Sequence, residues 1–537
     1  MLWGIGRIAC AVALVTLWLA QSAPAEPAGP LGHSGRWITD ADGRVVILHG
    51  VNMVYKRSPY YPAAGGFGAD DAAFLEENGF NTVRLGLIYK GVEPQPGSYD
   101  EAYLNQIGAT EQTLAAHGVF SLLDFHQDLY NERFQGEGWP DWAVQDDGLP
   151  ALPQVGFPGN YLAMPALNRA FDHFWANDAG PGGVGLQNRY AAAFGHVARR
   201  FDSNRHVLGY DLMNEPWPGS VYPTCVNPAG CPLFDLATLT PFMKRVISRI
   251  RAESAQRLVW YEPLLTFDFG AQTWLGDMGD PSAGMSFHDY CLPGIFGGPT
   301  GDACETFEDL PFQNADSRAA ATGDALLLTE FGATDDLATI ERIIDNADRH
   351  MVGWQYWHYC GCDDPTTQGP AQQAIVNDAS KPPTGDNVRQ AKLDVLSRPY
   401  PQAIAGTPES YGFDPATDRF HLAYSTTGLG GESFGPSTDT EIFVGGLHYP
   451  GGYDVDVDGG TVRSPAGAPL LTVASCPGAA HVSVTVGPAG QGSGGQRGCA
   501  AAMARNSRCA ALRGKLKRAK KKEQRRRLRA RIRKRGC

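Results

Sequence analysis

Long hydrophobic runs, a nucleotide-binding glycine loop and metal-spaced cysteine pairs are all missing from this 537-residue chain. Each absence closes off a class of function. The apolar run near the N-terminus, Ile8 to Leu19, spans twelve residues, short of the roughly 20 that a membrane-spanning helix needs. No G-x-G-x-x-G turn opens the first helical pattern, which weakens a dinucleotide-binding reading. No second cysteine pair accompanies Cys360-Gly-Cys362 at metal-site spacing, so neither a metal nor any other cofactor is expected. Basic residues are scarce over most of the length. Before residue 505 the chain holds 28 Lys and Arg against 56 Asp and Glu, and phosphate is repelled by such a body, which excludes nucleic acid as a partner. Disorder throughout is excluded as well, because 43% of residues are hydrophobic and 19% charged.

What is present begins with a leader pattern. Arg7 precedes the apolar run, and Ala23-Pro24-Ala25 offers a small-x-small cleavage site, so residues 1–25 read as a signal peptide and the protein as secreted. Removing it leaves ten cysteines, an even number suited to disulfides in an oxidising compartment. Cys225/Cys231 and Cys291/Cys304 are close enough in sequence to clip loops, and Cys360/Cys362 is read the same way.

From about residue 36 to 396, eight short apolar runs alternate mostly with helical patterns. The runs are Val45–Leu48, Thr82–Leu85, Val119–Phe125, Val207–Met213, Leu258–Tyr261, Gly284–His288, Ala325–Thr329 and Val352–Tyr356. That count predicts an α/β fold, a closed (β/α)8 TIM barrel over 26–398. Short alternating strands with Gly/Pro turns follow, predicting a small C-terminal antiparallel β-sandwich over 399–487. Residues 488–504 read as a Gly-rich linker and 505–537 as a basic, disordered tail.

Catalytic residues of a barrel sit at the carboxyl ends of its strands. Those ends carry Asn52, Arg84, His126-Gln127-Asp128, Asn214-Glu215-Pro216, Glu262-Pro263, His288-Asp289-Tyr290, Glu330-Phe331-Gly332 and Trp354-Gln355-Tyr356-Trp357. One such residue is commonplace; carboxylates, imidazoles, an arginine and aromatics converging on one rim are not. Two glutamates 115 positions apart suit glycoside hydrolysis, where a protonated acid assists the leaving oxygen and an ionised partner attacks or activates water. Arg84 and Tyr290 are candidates to keep Glu330 ionised, and burial without a neighbouring base suits Glu215 to the acid's role. Asn214 offers an amide to a sugar hydroxyl, and Trp357 a flat face to a pyranose ring. Glu262 is a rival acid.

Asn-Glu-Pro at 214–216 and Glu-Phe-Gly at 330–332 resemble the retaining glycosidase clan built on this barrel, specifically family five. Val92-Glu93-Pro94, Pro96-Gly97-Ser98-Tyr99-Asp100, Asp124-Phe125-His126-Gln127-Asp128, Asp211-Leu212-Met213-Asn214-Glu215-Pro216, Lys381-Pro382 and Arg398-Pro399-Tyr400-Pro401 are together similar to endoglycoceramidases. Those enzymes release an intact glycan from ceramide, and the likeness spans about 36–487. It implies Glu215 as acid/base and Glu330 as nucleophile, with Asn214 placing the sugar 2-hydroxyl. It further implies Lys56, His126, Asp128, Tyr290 and Trp357 around the sugar, with Arg84 and His288 in support. The segment 131–138 and the Trp354 to Trp357 strand end look closer to the galactosylceramide-cleaving branch.

The expected partner is therefore a glycosphingolipid, met by a monomer. Trp217, Tyr222 and Phe234 after the fourth strand, with Phe267, Phe269 and Trp274 after the fifth, are expected to cradle its lipid. A β-glucanase or β-glucosidase on the same scaffold, or a non-catalytic glycan-binding protein, are the competing readings. From Arg505 onward, 17 Lys and Arg face the single acid Glu523, and attachment to an anionic membrane or envelope is the functional reading of that tail.

Overall fold

The computed structural model describes residues 26–254, 256–291, 293, 302–367, 369–490, 499, 511–512, 515–519 and 522–534; the leader and most of the linker lie outside them. Eight parallel strands close a barrel: β1 (His49–Met53), β2 (Thr82–Ile88), β3 (Phe120–His126), β4 (Val207–Asp211), β5 (Leu258–Tyr261), β6 (Ala283–Asp289), β7 (Ala325–Phe331) and β8 (Gly353–Tyr356). β2, β3, β6 and β7 are buried at every position, as expected of parallel strands covered by an outer ring of helices. Helices Ala69–Glu77, Glu101–Ala115, Leu186–Phe201, Thr240–Arg251, Leu310–Thr322, Leu337–His350 and Gln390–Leu396 form most of that ring. Asp100 starts the second by accepting from the Tyr103 N–H at 3.0 Å, and Asp336 starts the sixth by accepting from the Ala338 N–H at 3.2 Å, satisfying donors that a helix leaves open. After β5 a 3-10 turn, Leu265–Phe269, stands where a helix is usual.

The first strand lies one step later than its apolar run suggests. Val45–Val46 pairs with Trp37–Thr39 and Tyr400–Ile404 in a different sheet, and the barrel takes His49–Met53 instead. The polar look of His49, Gly50 and Asn52 hides a buried strand. His49 stacks between Trp354 and Tyr400 at 4.3 and 3.6 Å, and Asn52 Nδ2 donates to the Thr329 carbonyl at 2.8 Å.

The C-terminal domain packs a four-stranded sheet (Thr407–Asp414, Arg419–Ser425, His481–Pro488, Tyr453–Asp458) on a seven-stranded one. The larger sheet recruits Gly32–Ser34, Trp37–Thr39 and Val45–Val46 from the start of the described chain. Its core, with Tyr411, Phe420, Leu422, Ile442, Val473 and Val484, is continuous with the barrel floor through Tyr400, whose hydroxyl donates to the Gly79 carbonyl at 2.7 Å.

Cys225–Cys231, Cys291–Cys304 and Cys360–Cys362 are disulfides, as is Cys476–Cys499. Much of the tail expected to be disordered lies outside the described residues. A helix spans Lys522–Lys534, because its Lys, Arg, Gln, Glu, Leu and Ala favour helix and no Gly or Pro interrupts it. No described helix is long and apolar enough to cross a membrane.

Candidate active site

The strand ends converge as the sequence predicts. Arg84, fully buried in β2, is the hub. Its Nε donates to Asp211 Oδ2 at 2.9 Å, Nη1 to Glu330 Oε1 at 2.5 Å, and Nη2 to Asn214 Oδ1 at 3.0 Å and Glu262 Oε1 at 2.9 Å. Asp124 Oδ1 lies 3.1 Å from the same Nη2. A planar fork with five donors can serve this many acceptors; a lysine cannot. Tyr290 donates its hydroxyl to Glu330 Oε2 at 2.9 Å, so both oxygens of Glu330 are held.

Glu215 sits across from it, and its Oε1 hydrogen-bonds His288 Nδ1 at 3.0 Å. Burial raises the Glu215 pKa, the Glu330 and Asp128 carboxylates push the same way, and the bond from His288 opposes them. His288 is pressed down by burial but raised well above its ordinary value by Glu330, Glu262 and Glu215. Its Nδ1 lies 3.7 Å from Glu330 Oε2 and 3.9 Å from Asp268 Oδ2, so one ring bridges both predicted catalytic carboxylates.

A second polar cluster gathers around Lys56. Lys56 Nζ donates to Asp128 Oδ2 at 2.6 Å and to Thr366 Oγ1 at 2.7 Å, and lies 4.5 Å from the centre of the Trp357 ring. His126 stacks on Trp357 at 5.1 Å and hydrogen-bonds Asp124 Oδ2 at 2.8 Å. Burial lowers its pKa, but Asp124 and Asp128 outweigh that and raise it to about 10. The Trp357 indole N–H donates to Gln373 Oε1 at 3.1 Å.

A cavity of about 920 Å³ opens over these groups. Lys56, Asp128, Glu215, Tyr290, Glu330 and Trp357 border it, whereas Arg84, His126, Asn214 and His288 stand behind that lining. Asn214 is 1% exposed, and its amide already accepts from Arg84 and donates to the Gln127 carbonyl at 3.0 Å. The same lining includes apolar Phe157, Leu162, Val226, Leu265, Phe269 and Phe307. Of the six aromatics expected there, Trp217 and Phe269 take part. Tyr222 stacks behind Trp217 at 5.4 Å, Phe234 packs on Trp175, Phe267 on Phe287, and the Trp274 indole donates to the Ala229 carbonyl. These four pack on the elements around them, Phe234 on the end of the helix Pro165–Trp175 and Phe267 on β6, and do not line the cavity.

Glu262, the rival acid, does not border the cavity. Burial alone would raise its pKa, but His288, Arg84 and the Glu215 N–H bring it down to about 2, which makes it an anion and not a proton donor. Sequence reading misses Asp364, Thr366 and Gln373, which lie after β8 and lock Lys56, Asp128 and Trp357; the polar run at 363–368 is the single cue for the first two. It also misses Asp268, buried beside His288 without a hydrogen-bond partner at Oδ2, because two aromatics flank it.

Residues 39–363 match the cellulase (glycosyl hydrolase family 5) model, and 398–486 match the glycoside hydrolase family 5 C-terminal domain. Endoglycoceramidase I of Rhodococcus hoagii (strain 103S) is 35% identical over 501 residues, covering 88% of this chain and 94% of that protein. The structure of endo-glycoceramidase II from Rhodococcus sp. in complex with ganglioside GM3 is similar at TM-score 0.68 and 29% identity, covering 84% of this chain and 99% of that one. An endogalactoceramidase crystal structure, at 24% identity and TM-score 0.65 over 86% of this chain and 99% of that one, shares the fold.

Proposed function

We propose, for a chain that belongs to glycosyl hydrolase family 5 and is therefore a glycosidase, that its substrate is a glycosphingolipid. The bond cleaved joins the innermost β-linked sugar to the primary hydroxyl of ceramide, and the products are the intact glycan and ceramide. The observation that carries this reading is the mixed lining of one cavity, which Lys56, Asp128, Trp357, Glu215 and Glu330 border together with apolar Phe157, Leu162, Val226, Leu265, Phe269 and Phe307. A soluble glucan has no use for so much apolar lining, whereas ceramide chains fit it. Three rim residues, Leu162, Val226 and Phe307, are 45, 50 and 53% exposed, which supports lipid contact at the mouth.

In the proposed mechanism, Glu330 attacks the anomeric carbon as a carboxylate while Glu215 gives its proton to the departing ceramide oxygen. A covalent glycosyl-enzyme results. Glu215, now a base, takes a proton from water, which displaces Glu330 with net retention of the β configuration. Glu215 Oε1 and Glu330 Oε2 lie 3.0 and 3.7 Å from one ring nitrogen of His288, so a single imidazole faces both carboxyl groups. Retention goes with carboxyl groups about 5–5.5 Å apart, inversion with roughly 6.5–9.5 Å. Arg84 and Tyr290 orient the nucleophile. Asn214, fixed by Arg84 and Gln127 just behind the lining, is proposed to offer its remaining amide hydrogen to the sugar 2-hydroxyl.

The galactosyl preference expected from 131–138 and 354–357 is part of the proposal. So are secretion, which the disulfides support, action as a monomer, since one chain supplies the whole site, and surface attachment through the basic tail. The test is a panel of galactosylceramide, lactosylceramide and GM3 in matched micelles beside soluble β-glucans. Release of ceramide, fastest from galactosylceramide, is expected. Turnover of glucans alone would overturn the assignment, and faster release from GM3 would overturn the galactosyl preference.

A further inference from the structure

We infer that Glu262, at the end of β5, is the positioning residue for Glu215 and acts by gripping its main chain without touching substrate. This rests on the acid/base reading of Glu215. Glu215 has φ 41°, a left-handed conformation that a residue with a side chain holds only when its surroundings impose it. Both flanking peptide groups are gripped. Glu262 Oε2 accepts from the Glu215 N–H at 2.8 Å, and Gln127 Nε2 donates to the carbonyls of Glu215 and Asn214 at 3.1 and 3.0 Å. A carboxylate acceptor makes the first of these a strong bond.

The other oxygen of Glu262 accepts from Arg84 at 2.9 Å and lies 3.4 Å from His288 Nε2. His288 in turn meets the Glu215 carboxyl. Glu262 therefore holds the acid at its backbone directly and at its carboxyl through the imidazole. At 2% exposure and behind the cavity lining, it reaches no substrate.

The aim of Glu215 enters kcat/KM through the step in which its proton passes to the glycosidic oxygen as the anomeric C–O bond breaks; its later work as a base follows that step and does not enter kcat/KM. Ceramide needs that proton; fluoride leaves without it. Comparing kcat/KM on the glycolipid with kcat/KM on the fluoride of the same sugar therefore isolates the acid's positioning. Glu262→Ala is expected to lose about 100-fold on the glycolipid and under about 5-fold on the fluoride. Glu262→Gln, whose amide oxygen still accepts the Glu215 N–H, is expected to recover at least about 10-fold of the glycolipid loss. If the alanine variant does not fold, Glu262→Asp takes its place, since it keeps the charge but draws back from that N–H, and the same split is expected. Equal losses on both substrates, or none, would overturn the inference. Glu215→Ala run alongside must show the split too; if it does not, the acid/base assignment has failed and the Glu262 inference falls with it.

Discussion

Arg84 is where the structure concentrates charge, so its replacement has the most direct consequences. Arg84→Met keeps much of the side-chain volume and removes the guanidinium from the midst of Asp124, Asp211, Glu262 and Glu330, all bonded or ion-paired to it within 3.1 Å. Breaking one buried pair by deleting a partner costs about 3–5 kcal/mol, and the variant is expected to lose that much stability at pH 7. The loss has a pH signature. Glu262 has a folded pKa of about 2, below its unfolded value of roughly 4.3. The stability it contributes is present above that unfolded value and disappears as pH falls toward 2. Arg84→Met gives up part of this contribution, so the gap to wild type is full above about pH 5 and narrows in acid. Urea unfolding followed by near-ultraviolet circular dichroism at pH 7 and pH 4 measures it. Arg84→Lys should fall in between, because one ammonium cannot serve all these acceptors. A loss under about 1 kcal/mol at pH 7, or a gap that widens in acid, would refute the reasoning.

Glu330→Gln is expected to abolish turnover while leaving the thermal midpoint within a few degrees of wild type, checked by calorimetry, and an active variant would remove Glu330 as nucleophile. Glu215→Ala is expected to lose about 100-fold or more on ceramide-linked substrate, and added azide, which needs no base, should speed its second step; rates without azide rescue would contradict the acid/base role. His126 has a raised folded pKa of about 10, so its stabilising contribution is full below about pH 6.5 and is lost as pH rises through 10. The thermal midpoints of wild type and His126→Gln should accordingly differ at pH 6 and converge by pH 10, whereas a gap that grows with pH would refute it. Ending the chain after Ala504, which keeps the Cys476–Cys499 disulfide, is expected to weaken binding to anionic vesicles at low salt without changing hydrolysis in detergent, and equal sedimentation of both forms would reject attachment.

The site was legible to the extent that a (β/α)8 barrel makes it so. Once eight apolar runs are set in order, the polar residues within and just after them must converge on one mouth, which places Arg84, Glu215, His288 and Glu330 together without coordinates. What stayed hidden has physical causes. β1 is disguised because His49 packs by stacking between Trp354 and Tyr400 and Asn52 donates to a carbonyl two strands away, partners that a local window does not contain. Asp364 and Thr366 meet Lys56 across a sequence gap of about 310 residues, beyond any spacing rule. The N-terminal strands of the larger sandwich sheet pair with residues near 400 for the same reason. Aromatic residues on the rim loops carry no mark that separates a cavity wall from loop packing, and Tyr222, Phe234, Phe267 and Trp274 are of the second kind.

The central claim is that the glycan–ceramide bond is cut on its sugar side. Digesting GM3 and galactosylceramide in oxygen-18 water and weighing both products by mass spectrometry tests this most directly. The account predicts an intact glycan carrying one heavy oxygen at its reducing end, with unlabelled, intact ceramide. Label in the ceramide, stepwise loss of single sugars from the outer end of GM3, or no ceramide release would contradict it.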